Sequence, residues 1–108
     1  MIARTAQLKF HSPDAEENTM AALAEVALPW VQDSPGFHGA YLLGPEAGEA
    51  LLVTLWRTRE EHDAALPAMT RAMAAIVEAG AEVTGEIRFY GSVFRADPRG
   101  LRGPELPI

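Results

Sequence analysis

His62 and Trp56 are the residues of this chain whose types and placement best suit chemistry. Trp56 closes the run Ala50-Leu51-Leu52-Val53-Thr54-Leu55-Trp56, which reads as a strand, and Arg57-Thr58-Arg59-Glu60-Glu61 follows at once. Thr58 and Glu61 stand three apart before an apolar-periodic segment, the spacing at which two side chains satisfy each other's orphan donors at a helix start. His62 then falls one turn into a capped helix, on a stripe with Leu66, Met69, Met73, Ile76 and Val77. An imidazole facing an apolar cavity accepts a proton from a weakly acidic carbon or a phenol, which is the task of a general base. A histidine at the wet end of such a stripe does no more than bridge to solvent.

Trp56 likewise has two readings: it fills space between sheet and helices, or its indole N–H donates into a pocket while its face stacks on a planar ligand. Thr5 and Gln7 are polar residues within an otherwise apolar first strand, placed either toward a pocket or toward a wetted sheet face. Arg88 and Tyr90 share a strand face and pose the same choice, with pairing of Arg88 to Glu86 as its structural alternative. Tyr41 and Thr54 on the hairpin strands join the candidate substrate contacts, and Met20, Met69 and Met73 suit either an adaptable wall around a flat aromatic ligand or plain core.

The elements that must position these groups follow from period and punctuation. Ile2 to Phe10 alternates as a strand, with Ile2, Ala6, Leu8 and Phe10 on one face and Thr5, Gln7 and Lys9 on the other. Ser12-Pro13-Asp14 opens a helix whose buried stripe is Met20, Leu23, Ala24, Ala27, Trp30 and Val31, and Pro29 should bend or end it. Pro35-Gly36-Phe37 opens a second strand that breaks at Gly44-Pro45 before the strand ending at Trp56, so the two form an antiparallel hairpin. Pro67 interrupts the next helix into two pieces, Gly80 ends it, and period two returns from Val83 to Ala96. The third strand is apolar on both sides, with Leu51, Val53 and Leu55 on one and Leu52 and Trp56 on the other, so a second subunit is the natural cover for the face that the helices leave bare.

At 108 residues the chain is one domain with a thin core, divided into a folded unit over 1–96 and a Pro/Gly-rich tail over 97–108 in which Leu101, Leu106 and Ile108 are candidate anchors on a partner. A net charge of −6, with fifteen acidic against nine basic residues, leaves little for a nucleic-acid backbone. Without cysteine there is neither a disulfide nor a thiolate ligand or nucleophile. The histidines at 11, 38 and 62 lack metal-site spacing, and neither a phosphate loop nor a nucleotide fingerprint occurs, so the expectation is an enzyme without metal or cofactor. Lacking a secretory leader or a long apolar run, the chain reads as cytoplasmic and free of membrane.

The Pro35-Gly36-Phe37 entry and the run Leu55-Trp56-Arg57-Thr58-Arg59-Glu60-Glu61, set in the order strand, helix, hairpin, helix, strand, resemble the antibiotic biosynthesis monooxygenase family of the dimeric α/β-barrel superfamily. The resemblance covers roughly residues 2–96. It implies an α+β, ferredoxin-like βαββαβ fold, with a four-stranded antiparallel sheet covered by two helices on one face and a homodimer formed through the other. It further implies a cofactor-independent monooxygenase acting on an aromatic polyketide-like phenol or anthrone: deprotonated substrate reacts directly with molecular oxygen. On that reading His62 is the base, Trp56 and Gln7 are donors or stacking groups, and Met69 and Met73 are walls. A polyketide cyclase or isomerase would use the same groups without oxygen, and a non-catalytic module binding a small aromatic molecule would use them without turnover. The haem-degrading branch of the superfamily pairs a first-strand asparagine with a histidine on the second helix. Here Gln7 stands in the first strand and Met69, Thr70, Arg71 and Met73 follow in the helix, so that activity is not implied.

Overall fold

A computed structural model describes residues 1–102. Strand β1 (Ile2–Phe10) leads to helix α1 (Pro13–Ala22), a π-helical turn (Leu23–Ala27) and α2 (Leu28–Val31); β2 (Phe37–Glu46) and β3 (Glu49–Trp56) form a hairpin; α3 (Arg59–Ala64) and α4 (Leu66–Glu78) precede β4 (Ala81–Tyr90). The four long strands make one antiparallel sheet in the order β2-β3-β1-β4, with the helices on one face. This is the α+β, ferredoxin-like arrangement.

Ser12 caps α1 by accepting from the Ala15 N–H at 3.0 Å, and Pro13 fills the first turn. Pro29, expected to bend or end the helix, does not end it. The π turn lies immediately before it, with the Leu28 N–H reaching back to the Leu23 carbonyl, and this wider turn absorbs the step at which proline lacks a donor. It also redraws the buried stripe. Thr19, Leu23, Ala27 and Val31 recur every four residues, while Ala24 is exposed and Trp30 lies outside, with the Arg71 guanidinium 5.3 Å from its ring centre.

The hairpin turn is Ala47-Gly48, not Gly44-Pro45. Both turn residues have positive φ, 52° and 76°, as a tight two-residue turn between twisted strands requires. Gly44 and Pro45 lie within β2, where the pairing shifts by one residue between Leu43 and Glu46; β2 is an edge strand, so the missing proline N–H breaks no ladder. Pro67 falls in the first turn of α4, and the expected division into α3 and α4 is observed. Buried residues there are His62, Ala65, Met69, Ala72 and Ile76, spaced three and four apart, whereas Leu66 and Val77 are exposed. Gly80, at φ 122°, ends α4 where a side chain would meet Ala15.

The final strand stops at Tyr90, short of the expected Ala96. Tyr90 pairs with Ala3, at the very start of β1, so no sheet backbone remains to continue the ladder. Residues beyond it form a separate small hairpin, β5 (Arg95–Asp97) with β6 (Gly100–Arg102), in a segment expected to be irregular. Leu106 and Ile108, two of the candidate anchors, lie outside the described residues.

The core lies between sheet and helices and includes Ala6, Leu8, Phe10, Leu52, Trp56, Met69, Ala72 and Ile76. On the opposite face the register aligns Tyr41, Val53, Thr5 and Arg88 in one row and Leu43, Leu51, Gln7 and Thr84 in the next. No described helix covers that face. Among the described residues no helix is long and apolar enough to cross a membrane.

Candidate active site

The two sequence segments that stood out meet in space. Gly36 has φ 83°, its carbonyl accepts from the Arg57 N–H at 2.8 Å, and a Cβ there would fall 2.6 Å from the Glu61 carboxyl carbon. Only glycine fits such a backbone at such a distance. Phe37, next in chain, pairs across the hairpin with Trp56 and meets it edge to face, ring centres 5.3 Å apart. Thr58 Oγ1 accepts from the Glu61 N–H at 3.1 Å and caps α3, which is half of the reciprocal pair expected, because Arg57 draws the Glu61 carboxylate away from the Thr58 N–H. The Glu61 carboxylate takes the Arg57 guanidinium in a two-pronged pair and the Thr58 hydroxyl, and Arg57 holds its pKa below the ordinary carboxylate value.

This cap sets the pitch of α3 and drives the next residue inward. His62 is 1% exposed, not at a wet end. Its ring lies edge-on to Trp56, 5.4 Å between centres, and to Phe89 of β4 at 4.9 Å. Its Nδ1 lies 2.9 Å from Asp63 Oδ1. Bonds from His62 and then from Arg59 hold the Asp63 carboxyl below its ordinary pKa, so the carboxylate is an acceptor only. Nδ1 therefore carries the hydrogen, and in the neutral ring the lone pair sits on Nε2. That atom is buried with no hydrogen-bond partner among the described residues. Arg59 completes the cluster, its guanidinium carbon 3.7 Å from the Phe89 ring centre.

Trp56 is fully buried, and its indole N–H donates to Thr54 Oγ1 at 3.1 Å. Thr54 in turn lines an apolar cavity between sheet and helices, together with Phe37, Leu52, Met69, Met73 and Ile76. The cavity encloses about 50 Å³ within a cleft of about 400 Å³ that includes its mouth. The enclosed volume is well below that of small-molecule sites, so a ring system must part the walls to enter. Neither Trp56 nor His62 lines this cavity, contrary to expectation; Thr54 connects its wall to Trp56 through the indole hydrogen bond, and His62 packs on Trp56 in turn.

Of the remaining candidates, Met69 and Met73 are on the cavity wall, while Leu66 is exposed on α4. Thr5, Gln7, Tyr41, Arg88 and Tyr90 lie on the other face of the sheet, because their positions alternate with those of the core residues. Gln7 is therefore not brought together with His62 and Trp56; it lines a shallow groove with Leu43, Leu51 and Thr84. Arg88 stands opposite Thr5. Sequence reasoning missed Asp63, Arg59 and Phe89. Adjacency to His62 was the signal that would have found the first and the four-residue spacing of Arg59 and Asp63 the second, but Phe89 is near only through the fold. Among the described residues no three His, Asp or Glu side chains come together as a metal-ligand set.

No protein-family model and no curated protein matches the sequence. Solved structures do. A variant of SnoaB, a cofactor-independent oxygenase from Streptomyces nogalater, superposes with a TM-score of 0.68 at 18% identity over 90% of this chain and 96% of its own. A protein provisionally named an antibiotic biosynthesis monooxygenase, from Deinococcus radiodurans, gives 0.68 at 18% identity over 90% and 97%. Another so named, from Bordetella bronchiseptica, gives 0.67 at 23% identity over 85% and 96%. The fold of this chain is the one shared by these proteins, SnoaB and two provisionally named antibiotic biosynthesis monooxygenases.

Proposed function

We propose that the protein is a cofactor-independent monooxygenase acting on an aromatic, polyketide-like phenol or anthrone, with His62 as the base. The observation that carries this reading is the unpartnered Nε2 of a buried histidine whose other nitrogen is fixed by an ionised carboxylate. Nε2 takes a proton from the substrate, Asp63 stabilises the imidazolium that forms, and the apolar walls keep water from the resulting carbanion or phenolate. That anion reacts directly with oxygen: an anthrone methylene and one O2 give the quinone carbonyl and one water. The SnoaB likeness supports the oxygenase over other chemistries of the scaffold. The sheet face that no described helix covers supports a homodimer built back to back, which leaves each helix-side cavity within its own subunit.

The test is oxygen uptake by dialysed, chelator-treated protein with anthrone or 1,8-dihydroxyanthrone, in air and under nitrogen. One oxygen consumed per quinone formed, absent under nitrogen, is the expected result. Conversion of a polyketide substrate without oxygen would transfer the site to the cyclase or isomerase class. Binding without conversion would leave a small-molecule-binding module.

A further inference from the structure

The enclosed part of the cavity has the wrong size for a ring and the wrong polarity for water. Its space of about 50 Å³ is several times the ~10–15 Å³ that one water requires, yet about a third of the ~150 Å³ in which an apolar cavity takes up benzene. Of the side chains on its wall only that of Thr54 is polar, and its oxygen already accepts from the Trp56 N–H. A buried water needs about two to four polar partners, so a single hydroxyl does not hold it and the space stays dry. A dry void forfeits dispersion contacts along its lining, and an apolar molecule small enough to enter restores them. The thioethers of Met69 and Met73 make that lining polarisable.

We infer that this cavity binds dioxygen, held on the helix side of the sheet before a ring parts the walls. The inference rests on the oxygenase reading and deepens it. Dioxygen has no hydrogen bonds to lose on leaving water, and of the two reactants of that chemistry it is the one the closed cavity admits. Thr54 joins the gas site to the base: its hydroxyl receives the indole N–H of Trp56, and His62 packs edge-on against the same indole. The oxidant is thereby stored beside the packed unit that carries Nε2.

Dioxygen is paramagnetic and speeds the nuclear relaxation of methyl groups that it touches, so the full chain with labelled methionine methyls gives a direct test without any aromatic substrate. Met69 is buried and is shielded from dissolved gas unless gas occupies the cavity; Met20 packs against the core without lining the cavity and is the internal reference. Under oxygen pressure the Met69 and Met73 methyls should gain severalfold more relaxation than that of Met20. Xenon, an inert atom that apolar cavities take up, should shift the same two resonances and displace the oxygen effect. Ala72→Leu, which fills the space from α4, should abolish both effects, and Ala27→Leu fills it from the π turn should the first variant not fold. Equal relaxation at all three methyls, magnetisation transfer from water to Met69 and Met73, or a gas effect that survives filling would overturn the proposal. None of these readings needs turnover. Gas binding without anthrone oxidation would remove the oxygenase and leave the site, whereas oxidation without gas in the cavity would remove the site and leave the oxygenase.

Discussion

The imidazole of His62 meets the indole of Trp56 edge-on, ring centres 5.4 Å apart and planes at 87°. A residue from a helix start and one from a strand end are thereby one packed unit, and edge-to-face ring pairs of this kind are worth about 0.5–1.5 kcal/mol beyond the area they bury. Chemistry at His62 cannot be altered without touching the core, which shapes the first prediction.

His62→Ala should lower turnover at saturating substrate by about 10²–10⁴-fold, the usual worth of a positioned proton acceptor. It should also cost stability, because the ring it removes is buried between Trp56 and Phe89. Asp63→Asn separates the two effects. Half-exposed Asp63 contributes little packing, so this variant should lose only the small stabilisation of its exposed ion pairs, much less than His62→Ala loses, yet turn over more slowly. An unchanged rate in Asp63→Asn would remove the carboxylate from the mechanism.

Thr54→Val keeps the shape of the cavity wall but takes away the acceptor of the Trp56 N–H. The buried donor is then unsatisfied, at a cost of about 1–3 kcal/mol. Urea unfolding should show this loss in Thr54→Val and its recovery in Thr54→Ser.

Gly36→Ala combines a positive φ with a clash against Glu61 and should destabilise by about 1–3 kcal/mol. Gly91→Ala is the internal control, since nothing lies within 4 Å of its added methyl and its φ is not positive. Equal melting temperatures for the two variants would contradict the close packing of Gly36 on Glu61.

Acid should weaken the fold through Glu61 and Asp63. The folded-state pKa of each lies below its ordinary value, 4.5 for Glu61, through Arg57, and 3.8 for Asp63, through His62. The unfolded chain therefore binds more protons in the window below those values; the stabilisation is complete above about pH 4.5 and is lost as pH falls through the lowered folded values. Glu61→Gln should flatten the acid limb of the urea midpoint plotted against pH.

Sedimentation should report about twice 11.7 kDa, and Val53→Glu, in the middle of the sheet face that no described helix covers, should return the monomer. A wild-type monomer at micromolar concentration would contradict the back-to-back dimer.

The sequence by itself determined what local chemistry governs. Alternation placed β1 and β3, Thr58 and Glu61 placed the start of α3, and Pro67 divided the second helical stretch, because each depends on neighbours within a few residues. Tertiary structure decided the rest. Gln7 lost the company of Trp56 because strand parity turns it to the other face, a fact that only the sheet's pairing makes consequential. Pro29 was absorbed by a π turn because the stripe at Thr19, Leu23, Ala27 and Val31 had to stay on the core, and packing outweighs local breaking. β4 ended at Tyr90 because β1 runs out of partner backbone. Phe89 reached His62 through contacts between a strand and a helix far apart in the chain; no spacing rule encodes this, since burial is a property of the assembled layers and not of any single segment.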